Sequence, residues 1–486
     1  MSSTWQGKKR ARVGPASRAG AGNASAPRDH WRVLRQALST PRRFLSIWYL
    51  AYLFLGIVTA GMVPVLLPLM MISISHKLGT VAYVMGAYNL GLLLSPLWGI
   101  LAERRRQYRG LFFAGLLVTG LSVAVMPLVS GMADWFGVAF VIGAGASAAA
   151  TVASLFVVDF TPRREWEPRI GWLQSFNGSG QVVGLLLAGI FSRGLFDVGL
   201  WVAAAFMVPG LIVGGIGLPA GVAPASRGEA GKRSAHPIYR LDFRALAAFP
   251  RASLGVMGFL RQSHLLARAG WSALPRSLRT SFGRFLLSWF AWYLGVAAFF
   301  AYFPLLMQDS YSVTPRVTSL VYAAAAAVGI ALFVLASRWT GRHGSGVVYR
   351  LGLIVRTVGF GLLLVMFYLP APEKGAAALA GFVLIVLAWP IISVAGTGLA
   401  ARLTTGSEGT AVGMFNASGA LATVAGTFAS GPLVRLLGYG VVPFLALGGL
   451  TAALVLAHGL GRPATAPPTS EHAKVSGGSP QESARA

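Results

Sequence analysis

Cysteine is absent from this chain of 486 residues, and acidic residues are few, with 14 Asp and Glu against 41 Lys and Arg. Without cysteine the chain can form neither disulfides nor thiolate metal sites. The seven histidines form no His-x-x-x-His pair, so we predict no bound metal and no other cofactor. Charged residues make up 11% of the chain, whereas a soluble domain typically has about a quarter. This composition argues against a soluble protein.

The shortage of carboxylates also bears on catalysis. A polytopic membrane enzyme that acts on a lipid or glycan usually clusters His, Asp or Glu near the headgroups, and here the acids are isolated. The Gly231-Lys232 pair is followed by Arg233 and lacks the first glycine of a P-loop, so direct ATP hydrolysis is unsupported. We predict that the chain is not an enzyme. A membrane enzyme of the kind described stays open as an alternative class.

Apolar segments are what the sequence has in abundance, since hydrophobic residues make up 55% of it. A membrane-spanning helix needs about 20 predominantly apolar residues. Six such spans are predicted in the first half, at 44–72, 80–101, 111–130, 136–159, 170–191 and 198–219. Six more are predicted in the second half, at 285–308, 317–337, 349–369, 376–400, 410–432 and 439–460.

The basic residues are distributed unevenly among the segments that join these spans. If the N-terminus lies in the cytoplasm, the inner segments carry 35 Lys and Arg and the outer loops carry five. This bias follows the positive-inside rule and predicts a protein of the plasma membrane with both termini in the cytoplasm. The net charge of +27 would also suit a nucleic-acid-binding protein, but such proteins cluster their charge on a folded surface. We therefore predict no nucleic acid and a bilayer with anionic inner-leaflet lipids as the partner.

Three further segments lie outside the two halves. Residues 1–43 are predicted to be a largely disordered basic tail, and residues 461–486 a disordered cytoplasmic tail. Residues 220–283 carry ten Lys and Arg and form a predicted cytoplasmic central loop between an N-terminal half at 44–219 and a C-terminal half at 284–460. We expect a monomer.

The two halves show an internal repeat. Trp48 and Tyr52 in the first span correspond to Trp289 and Tyr293 in the seventh at an offset of 241 residues. Glycines of the fifth and eleventh spans correspond at an offset of 242. Two matches at nearly one offset indicate a duplication. The predicted fold is therefore an all-α polytopic membrane protein with twelve transmembrane helices in two six-helix halves that are parallel repeats.

The segment after the second span reads Gly99-Ile100-Leu101-Ala102-Glu103-Arg104. It resembles the signature of the major facilitator superfamily, in which Gly, any residue, Leu, Ala, Asp and Arg stand between the second and third helices. Glu103 replaces the family's Asp, and Arg106 stands where a second Gly is usual. The resemblance covers about residues 44–460. It implies a secondary active or facilitative transporter that moves a small-molecule solute by alternating access. A non-transporting assembly or sensor protein on the same fold stays open as an alternative.

The resemblance also implies a gate at the cytoplasmic mouth. Glu103 and Arg104 would act there, Asp159 could pair with a nearby arginine, and Arg338 lies in a weaker echo of the signature after the eighth span. Ordinary positive-inside topology would equally place these basic residues there.

Polar and aromatic side chains within the spans are candidates for a substrate cavity. The candidates are Tyr52, Asn89, Gln174, Asn177, Tyr293, Trp389 and Asn416. Amides buried in lipid need partners, so they either bind a solute or hold helices together. Trp48 and Trp289 lie near the inner ends of their spans and are better explained by an interfacial aromatic belt. Arg356, inside the ninth span, is expected to extend toward the inner headgroups.

Overall fold

The computed structural model describes residues 45–105, 107–160, 166–218, 280–369, 374–403 and 408–460, apart from the side chains at 96, 100, 103–105, 158, 159, 166–168, 401 and 408–413. These described residues form twelve helical rods joined by short turns or by segments outside the description. The all-α fold predicted from the sequence is thereby confirmed. The predicted tails at 1–43 and 461–486, and the central loop up to residue 279, lie outside the described residues.

The first half contains six helices, α1 to α6. Their bounds are Tyr49–Ser75, Leu78–Arg105, Tyr108–Val125, Met132–Phe160, Trp166–Phe191 and Phe196–Gly217. Within α2 the helix is interrupted between Leu92 and Ser95, and a short 3-10 turn at Met126–Leu128 follows α3.

The second half contains α7 to α12. Their bounds are Ser281–Tyr311, Pro315–His343, Ser345–Tyr368, Lys374–Leu403, Glu408–Leu437 and Val441–Leu456. The order and number of helices match the predicted spans. Ten of the twelve are long and apolar enough to cross a bilayer by themselves. The other two are α5, which carries several amides and hydroxyls, and α12, which has 16 residues and so measures about 24 Å.

Several helices extend beyond the predicted spans. Helix α7 begins at Ser281, where the Thr280 hydroxyl accepts a hydrogen bond of 3.0 Å from the Gly283 amide and caps the helix. It therefore starts inside the predicted loop 220–283. Helix α8 continues to His343, six residues past the predicted span, because a helix does not need apolar residues once it has left the membrane.

Helix α1 contains a π-helical turn at Ile57–Met62 in the middle of the span. The carbonyl of Thr59 in this turn accepts a hydrogen bond of 3.3 Å from the Tyr88 hydroxyl of α2. A π-turn widens the helix by one residue and is frequent at functional sites. Here it lies opposite Gly184 of α5, whose Cα would be 2.5 Å from a Cβ at Gly61. The α1–α5 contact is thus a contact of two backbones.

The same type of glycine contact recurs in the second half. A side chain at Gly426 of α11 would collide with the Leu294 carbonyl of α7, as one at Gly184 would collide with the Ile57 carbonyl of α1. Each half therefore packs its first helix on its fifth through glycine. This agrees with the repeat inferred from the sequence.

The two ends of the bundle differ in charge. We call the end with helix termini at 105, 160, 166, 281, 343 and 403 the basic end, because the Lys- and Arg-rich segments join the helices there. The opposite end, with termini at 75, 78, 311 and 315, is called the far end.

Candidate functional site

The two halves meet along a seam formed by α1, α2 and α5 on one side and α7, α8 and α11 on the other. One hydrogen bond closes it at the far end, where the Tyr302 hydroxyl of α7 donates to the Leu78 carbonyl of α2 at 2.9 Å. Close by, burial and the neighbouring Asp309 carboxylate raise the pKa of the Tyr439 phenol.

Helices α2 and α11 pack closely along the seam. A Cβ at Gly86 would lie 2.7 Å from the Phe428 ring, and one at Gly431 would lie 3.1 Å from the Ala82 Cβ. Further from the far end, the Asn89 amide donates to the Thr427 hydroxyl at 3.2 Å. Asn89 therefore links the halves where the close packing ends.

Helices α5 and α8 form the second seam contact. A Cβ at Gly189 would lie 3.4 Å from the Ser319 Cβ near the far end. Three residues further along α8, the Gln181 amide lies 3.4 Å from the Tyr322 hydroxyl and donates to it. Toward the basic end of the same two helices, Gln174 and Arg338 are exposed. The seam contacts described here thus run from the far end to about the middle of the bundle.

A cavity of about 280 Å³ lies at the seam just beyond the Asn89–Thr427 hydrogen bond. Its lining combines three polar side chains, two aromatic rings and small apolar groups. The lining residues are Asn89, Leu92, Trp289, Tyr293, Asn416, Gly419, Ala420 and Thr423. Such a mixture of apolar surface with a few polar groups is typical of a small-molecule site.

The aromatic wall of the cavity is held rigidly. The Trp289 ring packs against Phe415 at 4.1 Å between centroids and meets Trp292 edge-on at 5.0 Å. Tyr293 lies 4.0 Å from Trp292 and 6.0 Å from Trp389. A Cβ at Gly419 would lie 2.9 Å from the Trp289 indole nitrogen, so the absence of a side chain at this position leaves space for the ring. These contacts fix the orientation of the rings that a solute would meet.

The structure brings together some of the predicted cavity residues. Asn89, Tyr293 and Asn416 line the cavity, and Asn416 is exposed to it. Trp389 stands next to Tyr293 and is 36% exposed. Whether these side chains bind a solute stays a prediction.

Three other predicted cavity residues lie in the first half and do not line this cavity. The Asn177 amide donates to the Tyr52 carbonyl at 3.4 Å and joins α5 to α1. Tyr52 is buried, and the exposed Gln174 side chain lies near its hydroxyl. This hydrogen bond between two helices is of the kind expected for the second of the two roles considered for the amides, and solute binding by Asn177 stays a prediction.

The predicted gate residues lie at the basic end. Glu103 and Arg104 belong to the last turn of α2, and Asp159 to the last turn of α4, whereas the first two were expected in a loop. The side chains of all three are outside the described part of the chain. Arg338 is exposed on α8, in a helix instead of the expected loop.

Two expectations about aromatic and basic residues are wrong. Trp48 and Trp289 do not form an interfacial belt, because both are buried within the bundle, with Trp48 packed on Phe112 and Trp289 lining the cavity. Arg356 does not reach the headgroups. It is 2% exposed, and its guanidinium lies over the Trp292 ring at 4.9 Å.

Among the residues that the sequence reasoning missed are two threonines of α11. Thr423 lines the cavity and Thr427 accepts the Asn89 amide. Both lie on α11 on the same face as Asn416, at intervals of seven and four residues, and this spacing is the signal that would have found them. No cluster of three or more His, Asp or Glu side chains suited to a metal occurs among the residues that the structure describes.

Two six-helix halves with a cavity at their seam define a class, the polytopic transporters of the membrane. The sequence profile of the Major Facilitator Superfamily matches residues 48–427. The chain therefore belongs to this superfamily and is a multi-pass membrane transporter. The resemblance seen around Glu103 is confirmed.

Several solved structures have the same fold as this chain. The nucleoside transporter NupG in a D323A mutant has a TM-score of 0.63 at 11% identity, covering 86% of this chain and 98% of that one. A D-xylose-proton symporter has a TM-score of 0.61 at 14% identity, covering 85% and 95%. NupG without that mutation has a TM-score of 0.56 at 13% identity, covering 85% and 96%. No curated protein sequence matches the chain.

Proposed function

We propose that this protein is a secondary active or facilitative transporter that moves a small solute across the plasma membrane by alternating access. The observation that carries the proposal is the position of the cavity. It lies in the middle of the seam, next to Asn89, with the far side sealed by the Gly86–Phe428 and Tyr302–Leu78 contacts. A rocking of one half against the other would break these contacts and expose the same cavity to the far side.

The lining of the cavity indicates how a solute would be held. Asn89 and Asn416 offer both hydrogen-bond donors and acceptors, and Trp289 offers a flat apolar surface. Because Asn89 also bonds Thr427 across the seam, a solute that competes for this amide would loosen the far closure. Binding and conformational change would then be coupled through one side chain.

We further propose that the basic end faces the cytoplasm, with both termini there, and that Glu103, Arg104, Asp159 and Arg338 contribute to closure at that end in the opposite state. The charge bias of the loops supports the orientation. The positions of these residues at the basic ends of α2, α4 and α8 support the gate.

The orientation is tested with single introduced cysteines. Because the chain has no cysteine of its own, any labelling by a thiol reagent comes from the introduced residue. Ser234→Cys and Ser476→Cys should be shielded from an impermeant thiol reagent in intact cells, and Ser310→Cys should be labelled, because Ser310 lies at the far end of α7. Permeabilised cells provide the control, in which all three sites should react. Labelling of Ser234→Cys in intact cells would reverse the orientation.

Transport itself is tested with purified protein in proteoliposomes against a panel of labelled nucleosides, sugars and organic acids. Asn416→Ala should raise the half-saturating concentration about tenfold, since one hydrogen bond is lost from the cavity. Gln308→Ala, which changes an exposed amide at the far end of α7, is the matched control and should leave uptake unchanged. Ligand binding without uptake would instead favour a sensor on the same fold.

A further inference from the structure

Arg356 is the twelfth of the 24 residues of α9, so it lies halfway along a membrane-spanning helix. Its side chain is 2% exposed, and its Nε and Nη1 atoms are enclosed with no hydrogen-bond partner in the described part of the chain. A guanidinium is charged at every physiological pH. A buried charge without a partner is costly, and inside a membrane it is a functional-site hypothesis by default.

The contacts that Arg356 makes are aromatic. Its guanidinium carbon lies 4.9 Å from the Trp292 ring and 5.6 Å from the Phe300 ring. Cation–π contacts attract the guanidinium but leave it with its full positive charge.

Carboxylates that could neutralise this charge lie elsewhere. Those with described side chains are Asp134, Asp197 and Asp309, in the first or last turns of α4, α6 and α7 at the far end. The positive charge in the centre of the second half is therefore uncompensated by the described residues.

The uncompensated charge lies next to the cavity at the seam. Trp292 contacts Tyr293 at 4.0 Å between ring centroids, and Tyr293 lines the cavity. With the 4.9 Å from the guanidinium to Trp292, this places the charge within about 9 Å of the Tyr293 ring. The groups between the charge and the cavity are aromatic rings, and these screen an electric field much less than water does.

The arrangement is peculiar to one half of the repeat. At the offset that aligns Trp48 with Trp289, the counterpart of Trp292 is Ala51. Helix α3, the counterpart of α9, has no charged residue after Arg109, in its first turn. A feature needed for the shared fold would be expected in both halves, so the Trp292–Arg356 pair serves something other than the fold.

We infer that the cavity binds a small organic monoanion, a carboxylate with an apolar or aromatic body, whose charge is balanced by Arg356 acting through the Trp292–Tyr293 layer. The inference rests on the proposed transport function, since it names the solute class for the same cavity. One cation balances one negative charge, so a dianion such as phosphate would retain an unpaired charge. Trp289 and Leu92 would contact the body of the solute, and Asn89, Asn416 and the Tyr293 hydroxyl its carboxylate oxygens.

The size of the effect follows from Coulomb's law. For a carboxylate beside Tyr293, one unit charge about 9 Å away at an effective dielectric of about 20 changes the binding constant by about 20-fold. We expect the wild-type protein to bind a fitting carboxylate at least tenfold more tightly than its uncharged amide.

The test uses purified full-length protein in nanodiscs and follows tryptophan fluorescence. The probes are benzoate with benzamide, phenylacetate with phenylacetamide, and inorganic phosphate. At least one carboxylate should be preferred to its amide, phosphate should bind more weakly than that carboxylate, and Arg356→Gln should abolish the preference. Arg350→Gln, which removes a charge six residues nearer the basic end of α9, is the matched control and should retain the preference.

A preference absent from both pairs, or one that survives in Arg356→Gln, would overturn the inference. Uptake of the same probes into proteoliposomes separates the two proposals. Uptake without charge preference overturns the monoanion and leaves the transporter standing. Arg356-dependent binding without uptake supports the monoanion and contradicts transport.

Thermal unfolding of the ligand-free protein provides a second readout. Replacing an unpaired buried charge by an apolar side chain of similar volume should not destabilise the fold, so Arg356→Met should melt at the wild-type temperature or above. A lower melting temperature than that of Arg350→Met would show that Arg356 stabilises the fold, and would contradict its role as an anion-attracting residue.

Discussion

Tyr302 contributes one hydrogen bond to the far closure of the seam, from its hydroxyl to the Leu78 carbonyl. A hydrogen bond of this type contributes about 1 kcal/mol, so Tyr302→Phe should raise the population with an open far end about fivefold. A single cysteine at Ala82, which is 1% exposed on this seam, reports the opening through its rate of alkylation in purified protein. The rate should rise by the same factor.

Tyr311→Phe is the control for this residue-scale prediction. Its hydroxyl also donates to a carbonyl, that of Leu363 at 2.7 Å, but this hydrogen bond joins α7 to α9 within one half. Alkylation at Ala82→Cys should therefore be unchanged in Tyr311→Phe. Equal rates in the two phenylalanine variants would show that the Tyr302 hydrogen bond has no part in the closure.

At the residue scale, the sequence predicted the types of side chain that line the cavity more accurately than the individual residues. Asn89 and Asn416, which line the cavity, had been proposed because polar residues in apolar spans must find partners. Tyr293, which also lines it, had been proposed because of its depth in the seventh span. Trp289 and Arg356 were misplaced because depth along a span was used to assign them. The direction that a side chain faces depends on packing with other helices, and an almost uniformly apolar sequence does not encode that direction in its hydropathy.

Helices α1 and α5 are in backbone contact at the π-turn, which makes a prediction at the scale of elements. Gly184→Ala would place a methyl group against the Ile57 carbonyl and 2.9 Å from the Gly61 Cα. Overpacking of this type costs about 1–3 kcal/mol, so the melting temperature should fall by several degrees. The melting temperature is measured by fluorescence-detected size-exclusion chromatography after heating.

Gly171→Ala, on the same helix, is the matched control. A Cβ at Gly171 meets nothing within 4 Å of the described structure, and alanine is favoured over glycine in a helix by about 0.5–1 kcal/mol. The variant should be as stable as the wild type or slightly more stable. A similar loss of stability in both variants would indicate that the α1–α5 contact is looser than described.

The number and order of the elements could be predicted from the sequence, whereas their ends could not. Hydropathy detects the apolar part of a helix, and α8 continues to His343 as an exposed polar helix. The π-turn at Ile57–Met62 leaves no mark in hydropathy, since it is a change in hydrogen bonding among apolar residues.

At the scale of the whole molecule, two of the helix pairs that close the far end, α2 with α11 and α5 with α8, can be tested with cysteine pairs. The Cβ positions of Ala82 and Gly431 lie 3.1 Å apart, and those of Gly189 and Ser319 lie 3.4 Å apart, near the separation found in disulfides. Ala82→Cys with Gly431→Cys, and Gly189→Cys with Ser319→Cys, should each cross-link on oxidation.

Cross-linking should stop uptake in proteoliposomes, because the far end could no longer open, and reduction should restore it. The four single-cysteine variants are the controls and should be insensitive to oxidation. Full uptake by a protein cross-linked at both pairs would exclude alternating access through this seam.

At this scale the internal repeat and the distribution of basic residues were sufficient to predict a two-half bundle with a charged end. They could not indicate which end of the seam is closed, since a conformation closed at the far end and one closed at the basic end have the same sequence and the same repeat. That information comes from particular contacts, such as Gly86 against Phe428 and Asn89 with Thr427.

The shortness of α12 affects the lipids around the protein. Its 16 residues extend about 24 Å, whereas the hydrocarbon layer of a typical bilayer is about 30 Å thick. Hydrophobic mismatch of this kind is relieved when the bilayer thins locally. Lipids with shorter acyl chains would therefore gather beside α12. A change in the thickness of the host membrane would then act on the second half at the side where α12 lies.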